Sequence, residues 1–202
     1  MINRIHLEMI KLYRGDPKRI QHFCKVHSYA KLIAETERVD EGDVFVIEIA
    51  ALTHDIGIHV CEEKYGDCNG KLQEQEGPAL AEELLTKIEI TKGVIRRVKY
   101  LIAHHHTYDN IDGIDYQILV EADFLVNFLE DNVPKENIRK GLDSGLISIT
   151  SDQGGCCGIC CKIGDYAFYF LDFDEDVLLE EFWTKYSKEE EQGYYEGLLK
   201  SN

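Results

Sequence analysis

From Val44 to Leu52 the chain reads Val-Phe-Val-Ile-Glu-Ile-Ala-Ala-Leu, apolar on nearly every face of a helix, and just beyond it His54 and Asp55 stand side by side. A helix that is apolar all round belongs in a core. This one therefore carries an imidazole and a carboxylate into the interior together. Burying such a pair is unfavourable unless both groups find partners, and a metal ion suits both.

At 202 residues the chain is long enough for one sizeable core plus a small appendage. Its 38 acidic and 22 basic side chains leave a net charge of -16, which opposes non-specific nucleic-acid binding because phosphates need a basic surface. A small anionic substrate would have to be drawn in by local metal charge. No stretch reads as a membrane span, and the start MINRIHLEMIKLYRG is too charged for a secretory signal. The expected location is cytoplasmic, without membrane or nucleic-acid partners. The cysteines Cys24, Cys61, Cys68, Cys156, Cys157, Cys160 and Cys161 are then thiols or metal ligands rather than disulfides.

The pattern predicts a mainly α chain. A first helix covers Ile2 to Tyr13 and stops at Gly15; Asp16-Pro17 opens a second, running to about Val39. Asp43 is expected to cap the buried helix, which ends near Gly57. Residues Cys61 to Gln75 read as a loop over the site, Gly77-Pro78 as the start of a short helix through Leu85, and Thr91 as the cap of another through His106. After the loop Thr107 to Gly113, a long helix spans about Asp115 to Asn132. The character changes after Gly141. Leu146 to Thr150, Gly158 to Ile163 and Tyr166 to Leu171 read as strands, the last two joined by a turn at Gly164-Asp165, and Val177 to Tyr186 and Lys188 to Lys200 as helices. The organisation is a helical domain over 1–140 and a small Cys-rich α+β tailpiece over 141–202, a β-hairpin plus helices.

A metal ligand on a helix must point along the apolar stripe. His22 shares a face with Val26, Tyr29 and Ile33 and looks inward, whereas His27, about 140° further round, reads as a surface or groove residue. Asp123 follows Leu119 by four and precedes Val126 by three, inside an apolar helix. In the run His104-His105-His106 the stripe of Val94, Ile95, Val98, Leu101 and Ile102 centres on the direction of His105, with His104 next. Each has a plain alternative: a hydrogen-bonded core histidine, a bracing carboxylate, or a His-Asp pair at a helix end. Together they bring one inward nitrogen or oxygen donor from each of several core helices. Mixed imidazole and carboxylate donors suit Mn, Fe, Co, Ni or Zn and argue against an all-oxygen calcium cage.

The phrases Arg19-Ile20-Gln21-His22, Leu52-Thr53-His54-Asp55-Ile56-Gly57, the histidine run and Glu121-Ala122-Asp123 together resemble the H…HD…D pattern of the HD-domain metal-dependent phosphohydrolases, over roughly residues 16 to 132. The resemblance implies an HD-type helical core with His22, His54, Asp55 and Asp123 as metal ligands, and His104 and His105 at a second ion or the substrate phosphate. Two-metal members carry a further histidine ahead of a glycine and a small-residue helix. Here that stretch is Gln73-Glu74-Gln75-Glu76-Gly77-Pro78, so Glu74 or Glu76 substitutes or the second site is weak or absent. The Gly-Tyr-Pro extension of the cyclic-di-nucleotide branch is missing after Asp112-Gly113.

The expected activity is hydrolysis of a nucleotide or other small phosphoester by metal-activated water, with one or two divalent ions. Asp55 bridges two ions or orients the water, and His104 or His105 protonates the leaving oxygen or ligates the second ion. Arg19, nearly on the face of His22, either grips a phosphate with its planar fork or forms a surface salt bridge. The alternatives are a di-iron oxygenase on the same fold, or a non-catalytic nucleotide- or metal-binding signalling module. In the tail, Cys157-x-x-Cys160 has a zinc-knuckle spacing, so a structural zinc stands beside core packing and redox roles as readings. The aromatic run Tyr166, Phe168, Tyr169, Phe170 packs on the helices or forms a homodimer contact.

Overall fold

The computed structural model describes residues 1–108 and 110–131. The strands and helices expected after Gly141, the domain boundary near residue 140, the Cys157/Cys160 zinc reading and the aromatic dimer contact lie outside those residues. Within them the chain is helical and contains no strand: α1 (Ile2–Leu12), α2 (Pro17–Thr36), α3 (Glu41–Thr53), α4 (Ile58–Tyr65), α5 (Gly70–Lys87), α6 (Lys92–Ile102) and α7 (Ile114–Glu130).

The central element is α3. Every residue from Val46 to Thr53 is buried, and the helix packs against α1, α2, α6 and α7. Around it α2 meets α7, α5 meets α6, and α4 leans on α5. Within Glu41–Tyr65 an 18-residue window with a mean hydropathy of 1.6 is long and apolar enough to cross a membrane, where the sequence led us to expect no such stretch. However, 72% of that window is buried among the protein's own residues, as befits a core helix.

Asp16 caps α2 by accepting from the Arg19 N–H, with Pro17 at the first helical position. The cap of α3 is Asp40 rather than Asp43. Asp40 has the extended backbone an N-cap requires and accepts from the N–H groups of Gly42 and Asp43 at 2.9 and 3.2 Å. Asp43 falls inside the first turn, where its charge favours the helix dipole.

The larger correction concerns residues 58–87. The expected loop from Cys61 to Gln75 is mostly helix: α4 ends on Gly66 in the left-handed conformation, and Asn69 opens α5 by accepting from the Leu72 N–H. Pro78 lies within α5 instead of beginning it. Packing carries α5 past the proline, because Gly77, Ala81 and Leu85 are buried, and local propensity yields to tertiary contact. The α6 helix also ends earlier than expected, at Ile102, leaving the three histidines in a turn.

Gly57 and Gly77 let α5 approach the end of the His54-Asp55 turn. A Cβ on Gly57 would lie 3.0 Å from the Gly77 backbone nitrogen and 3.2 Å from its Cα. Gly93 in α6 has nothing within 4 Å of such an atom. Gly57→Ala is therefore expected to destabilise the protein by about 1–3 kcal/mol, whereas Gly93→Ala should be neutral or stabilise it by up to about 1 kcal/mol. Urea unfolding midpoints of the two variants check the contrast.

Candidate metal centre

Three segments converge beside the C-terminal end of α3. His22 comes from α2, His54 from the residue that closes α3, Asp55 follows it, and Asp123 comes from α7. The His22 Nε2 lies 3.2 Å from the Asp123 Oδ1 and 3.2 Å from the His54 Nε2. The His54 Nε2 lies 3.5 Å from the same Asp123 oxygen, and the Asp55 Oδ2 is 3.5 Å from His22 and 3.4 Å from His54. His54 and Asp123 are 1% and 7% exposed, so water does not solvate this cluster freely.

A second group adjoins the first through Asp55, whose other oxygen, Oδ1, lies 3.6 Å from the His105 Nε2. Asp55, His105 and His106 offer donor atoms close enough together to hold an ion, as do His22, His54 and Asp123. Asp55 is itself held in place by Tyr13, whose hydroxyl donates to the Asp55 carbonyl oxygen at 2.6 Å.

The hydrogen bonds behind the rings fix which nitrogens face inward. The His54 Nδ1 donates to the Ala51 carbonyl at 2.9 Å, and the His105 Nδ1 donates to the Ile102 carbonyl at 2.7 Å. A carbonyl can only accept, so in the neutral ring Nδ1 carries the proton and Nε2 presents a lone pair to the cluster. The His105 Nε2 and the Asp123 Oδ1 are buried without a hydrogen-bond partner in acceptable geometry. Lone pairs and carboxylate oxygens facing one another in a buried space repel unless a cation sits among them. The donor set of imidazole nitrogens and carboxylates thus fits a divalent transition metal.

Protons and a metal compete for these groups. Burial works against charge on His22 and His54, but the neighbouring Asp55 and Asp123 carboxylates outweigh it, so His22 is raised and His54 well above the ordinary imidazole value. Burial likewise works against charge on Asp55 and Asp123, and the facing histidines reverse it, holding both carboxyls below their usual range. His106 is different: burial and the adjacent His105 push it down to about 4, so it stays neutral.

His104, expected beside His105, joins neither group among the described residues. Its Nδ1 donates to the Tyr100 carbonyl at 2.7 Å and its ring lies against that of Tyr100. The structure instead brings in His106, which the sequence reading did not select. Because α6 stops at Ile102, the 100° spacing used to rank the three histidines no longer applies beyond it. The His106 ring packs on His105 with centroids 4.0 Å apart, and its Nε2 meets the Gln73 Oε1 at 3.0 Å. A Cβ on Gly70 would lie 2.7 Å from this ring, so a glycine is needed there. Glu74 accepts from the His106 N–H and the Thr107 hydroxyl, while Glu76 pairs with Lys64 and Tyr65. Neither glutamate belongs to a donor group.

Arg19 is engaged with carboxylates. Its Nη1 and Nη2 donate to Asp16 and Glu62, each at 2.5 Å, which is the salt-bridge alternative of the sequence reading. His27, expected at the surface or in a groove, is half-buried and pairs with Glu48 at 3.0 Å.

The sequence profile of the HD domain matches residues 19–138, and the chain belongs to the HD domain family. Among solved structures, that of a predicted HD superfamily hydrolase from an uncultured Thermotogales bacterium matches 90% of this chain and 91% of its own, at 24% identity and a TM-score of 0.54. At that identity the likeness speaks for the fold. No curated protein matches the chain.

The raised histidines fix the sign of two pH effects. In the metal-free protein their contribution to stability is present below pH 6.5 and is lost as pH rises through their folded-state values; that of Asp55 and Asp123 is present above pH 3.8 and is lost in acid. An incoming ion must displace the histidine protons. Affinity for a divalent ion is expected to rise as pH increases above 6.5 through the raised histidine values, with protons released on binding. Calorimetry in buffers of different ionisation enthalpy measures that release.

Proposed function

We propose that this protein is a metal-dependent phosphohydrolase acting on a nucleotide or another small phosphoester. The observation that carries the reading is the convergence of His22, His54 and Asp123 with Asp55, whose second oxygen reaches toward His105. Membership of the HD domain family and the hydrolase description of the Thermotogales protein support it. A divalent ion held there would supply Lewis acidity toward a phosphoryl oxygen and lower the pKa of water.

The protein's own residues would do the rest. His22, His54 and Asp123 would hold the ion. Asp55, with one oxygen toward each donor group, would orient the attacking water or serve as a ligand to a second ion. His105, fixed through its Nδ1, presents the Nε2 lone pair beside Asp55, where it can take a proton from the attacking water and then give it to the leaving oxygen. The net charge of -16 makes the ion the local attractor for an anionic substrate. Arg19 is already bound to Asp16 and Glu62, and a phosphoryl group would be met by the metal centre.

A second reading keeps the site and changes the reaction. The adjoining Asp55, His105 and His106 donors are what a two-ion site needs, and with two irons the fold could serve as an oxygenase.

Metal content and phosphate release, measured together on a panel of nucleotides and small phosphoesters, test both readings. Asp55→Ala is expected to lose metal and to cut turnover by roughly 10²–10⁴-fold. His106→Ala is expected to lower the metal ratio only if a second ion binds, and His104→Ala to leave it as in wild type. Metal-loaded wild type that releases no phosphate from any member of the panel overturns the phosphohydrolase reading. Oxygen consumption by an iron-loaded form would favour the oxygenase.

A further inference from the structure

The imidazoles of the cluster are all held from behind, but not by the same kind of acceptor. His54 and His105 donate to the backbone carbonyls of Ala51 and Ile102, which are neutral and fixed by their helices. His22 Nδ1 instead faces a carboxylate, the Glu130 Oε2, at 3.0 Å. The other oxygen of Glu130 accepts from the Lys25 Nζ, also at 3.0 Å. Glu130 closes α7 seven residues after Asp123, two helical turns along nearly the same face. That face of α7 thus supplies one donor to the cluster and the brace for another. The Glu130 side chain is only 13% exposed, while that of Lys25 is 48% exposed.

Resting on the reading of the His22 cluster as a metal centre, we infer that Glu130 is a positioning residue that sets the donor strength of His22, and that Lys25 moderates it by sharing the same carboxylate. An anionic acceptor on Nδ1–H fixes the tautomer and ring plane, as a carbonyl does. It also pushes electron density toward Nε2 and makes that nitrogen a better ligand. His22 is then the histidine whose affinity is adjusted by charge, and the chain Lys25–Glu130–His22 is where that adjustment is made. A cation on the far oxygen draws charge away from the ring.

This arrangement predicts opposite effects for the two partners. Glu130→Gln keeps a carbonyl acceptor of the same reach and removes the negative charge. Lys25→Met keeps the aliphatic stem and removes the cation. If Glu130 and Lys25 served only to pin the end of α7 to α2, both changes would loosen the site in the same direction. If Glu130 acts through His22, the first weakens metal binding and the second does not.

The experiment measures Zn²⁺ dissociation constants by competition with a chromophoric chelator, without substrate, for wild type, Glu130→Gln, Lys25→Met and Asp123→Ala. Urea midpoints of the metal-free proteins report any purely structural loss. The expected result is about 10–100-fold weaker binding for Glu130→Gln, equal or tighter binding for Lys25→Met, and loss of the site in Asp123→Ala. Wild-type affinity in Glu130→Gln, or weakened binding in Lys25→Met, overturns the inference while leaving the metal centre in place. A wild type that binds no Zn²⁺ overturns the metal reading itself, and the inference with it.

Discussion

A cluster of imidazoles and carboxylates, each within 3.6 Å of a neighbour in the cluster, is the constraint on which the described structure rests. Desolvation makes each charge unfavourable, and only mutual compensation, by protons or by a cation, makes the group tolerable. The compensation requires contributions from α2, the end of α3, the turn after α6, and α7 at once. The apolar packing around α3 can be understood as the means of meeting that requirement. A helix buried on every side has little freedom to shift, so the His54-Asp55 pair at its end is placed with corresponding accuracy.

Around the cluster the supporting contacts are graded. Those behind His54 and His105 are backbone carbonyls, which orient without adding charge. Tyr13 reaches from the residue after α1 to hold the Asp55 carbonyl, and Gln73 and Glu74 of α5 hold His106 and the chain beyond it. Such contacts orient donors and limit the rotamers they can visit, and those of Tyr13, Gln73 and Glu74 come from the end of α1 and from α5, which supply no donor of their own. The second donor group leans on α5, which itself depends on the close backbone approach of Gly57 and Gly77.

Much of the first donor group was legible in the sequence, because burial and helical period are both written there. His22 and Asp123 interrupt apolar stripes, and His54-Asp55 ends a run with no polar face. The α4–α5 region was not legible. Gly66, Asn69, Gly70 and Pro78 carry loop chemistry locally, and the packing that keeps the chain helical comes from α6, far along the sequence. His106 was missed for a related reason: a helix end cannot be placed to the residue from sequence, and an error of a few positions turns a ranking of adjacent histidines around. Arg19 shows the limit of a face argument. Its direction followed from the spacing, but its partner Glu62 lies 43 residues away and could not be foreseen.

The order in which the donors occur along the chain has a consequence for biosynthesis. His22 is made first and Asp123 about a hundred residues later, with Glu130 behind it. Helices α1 to α3 can gather their apolar faces early, but the electrostatic compensation at the end of α3 waits for α7 to leave the ribosome. Until then His54 and Asp55 belong to a partly formed core, which favours leaving the end of α3 open to water. An ion that needs His22 and Asp123 together can therefore be held only once α7 has been made, and its binding would favour the fully assembled set of helices.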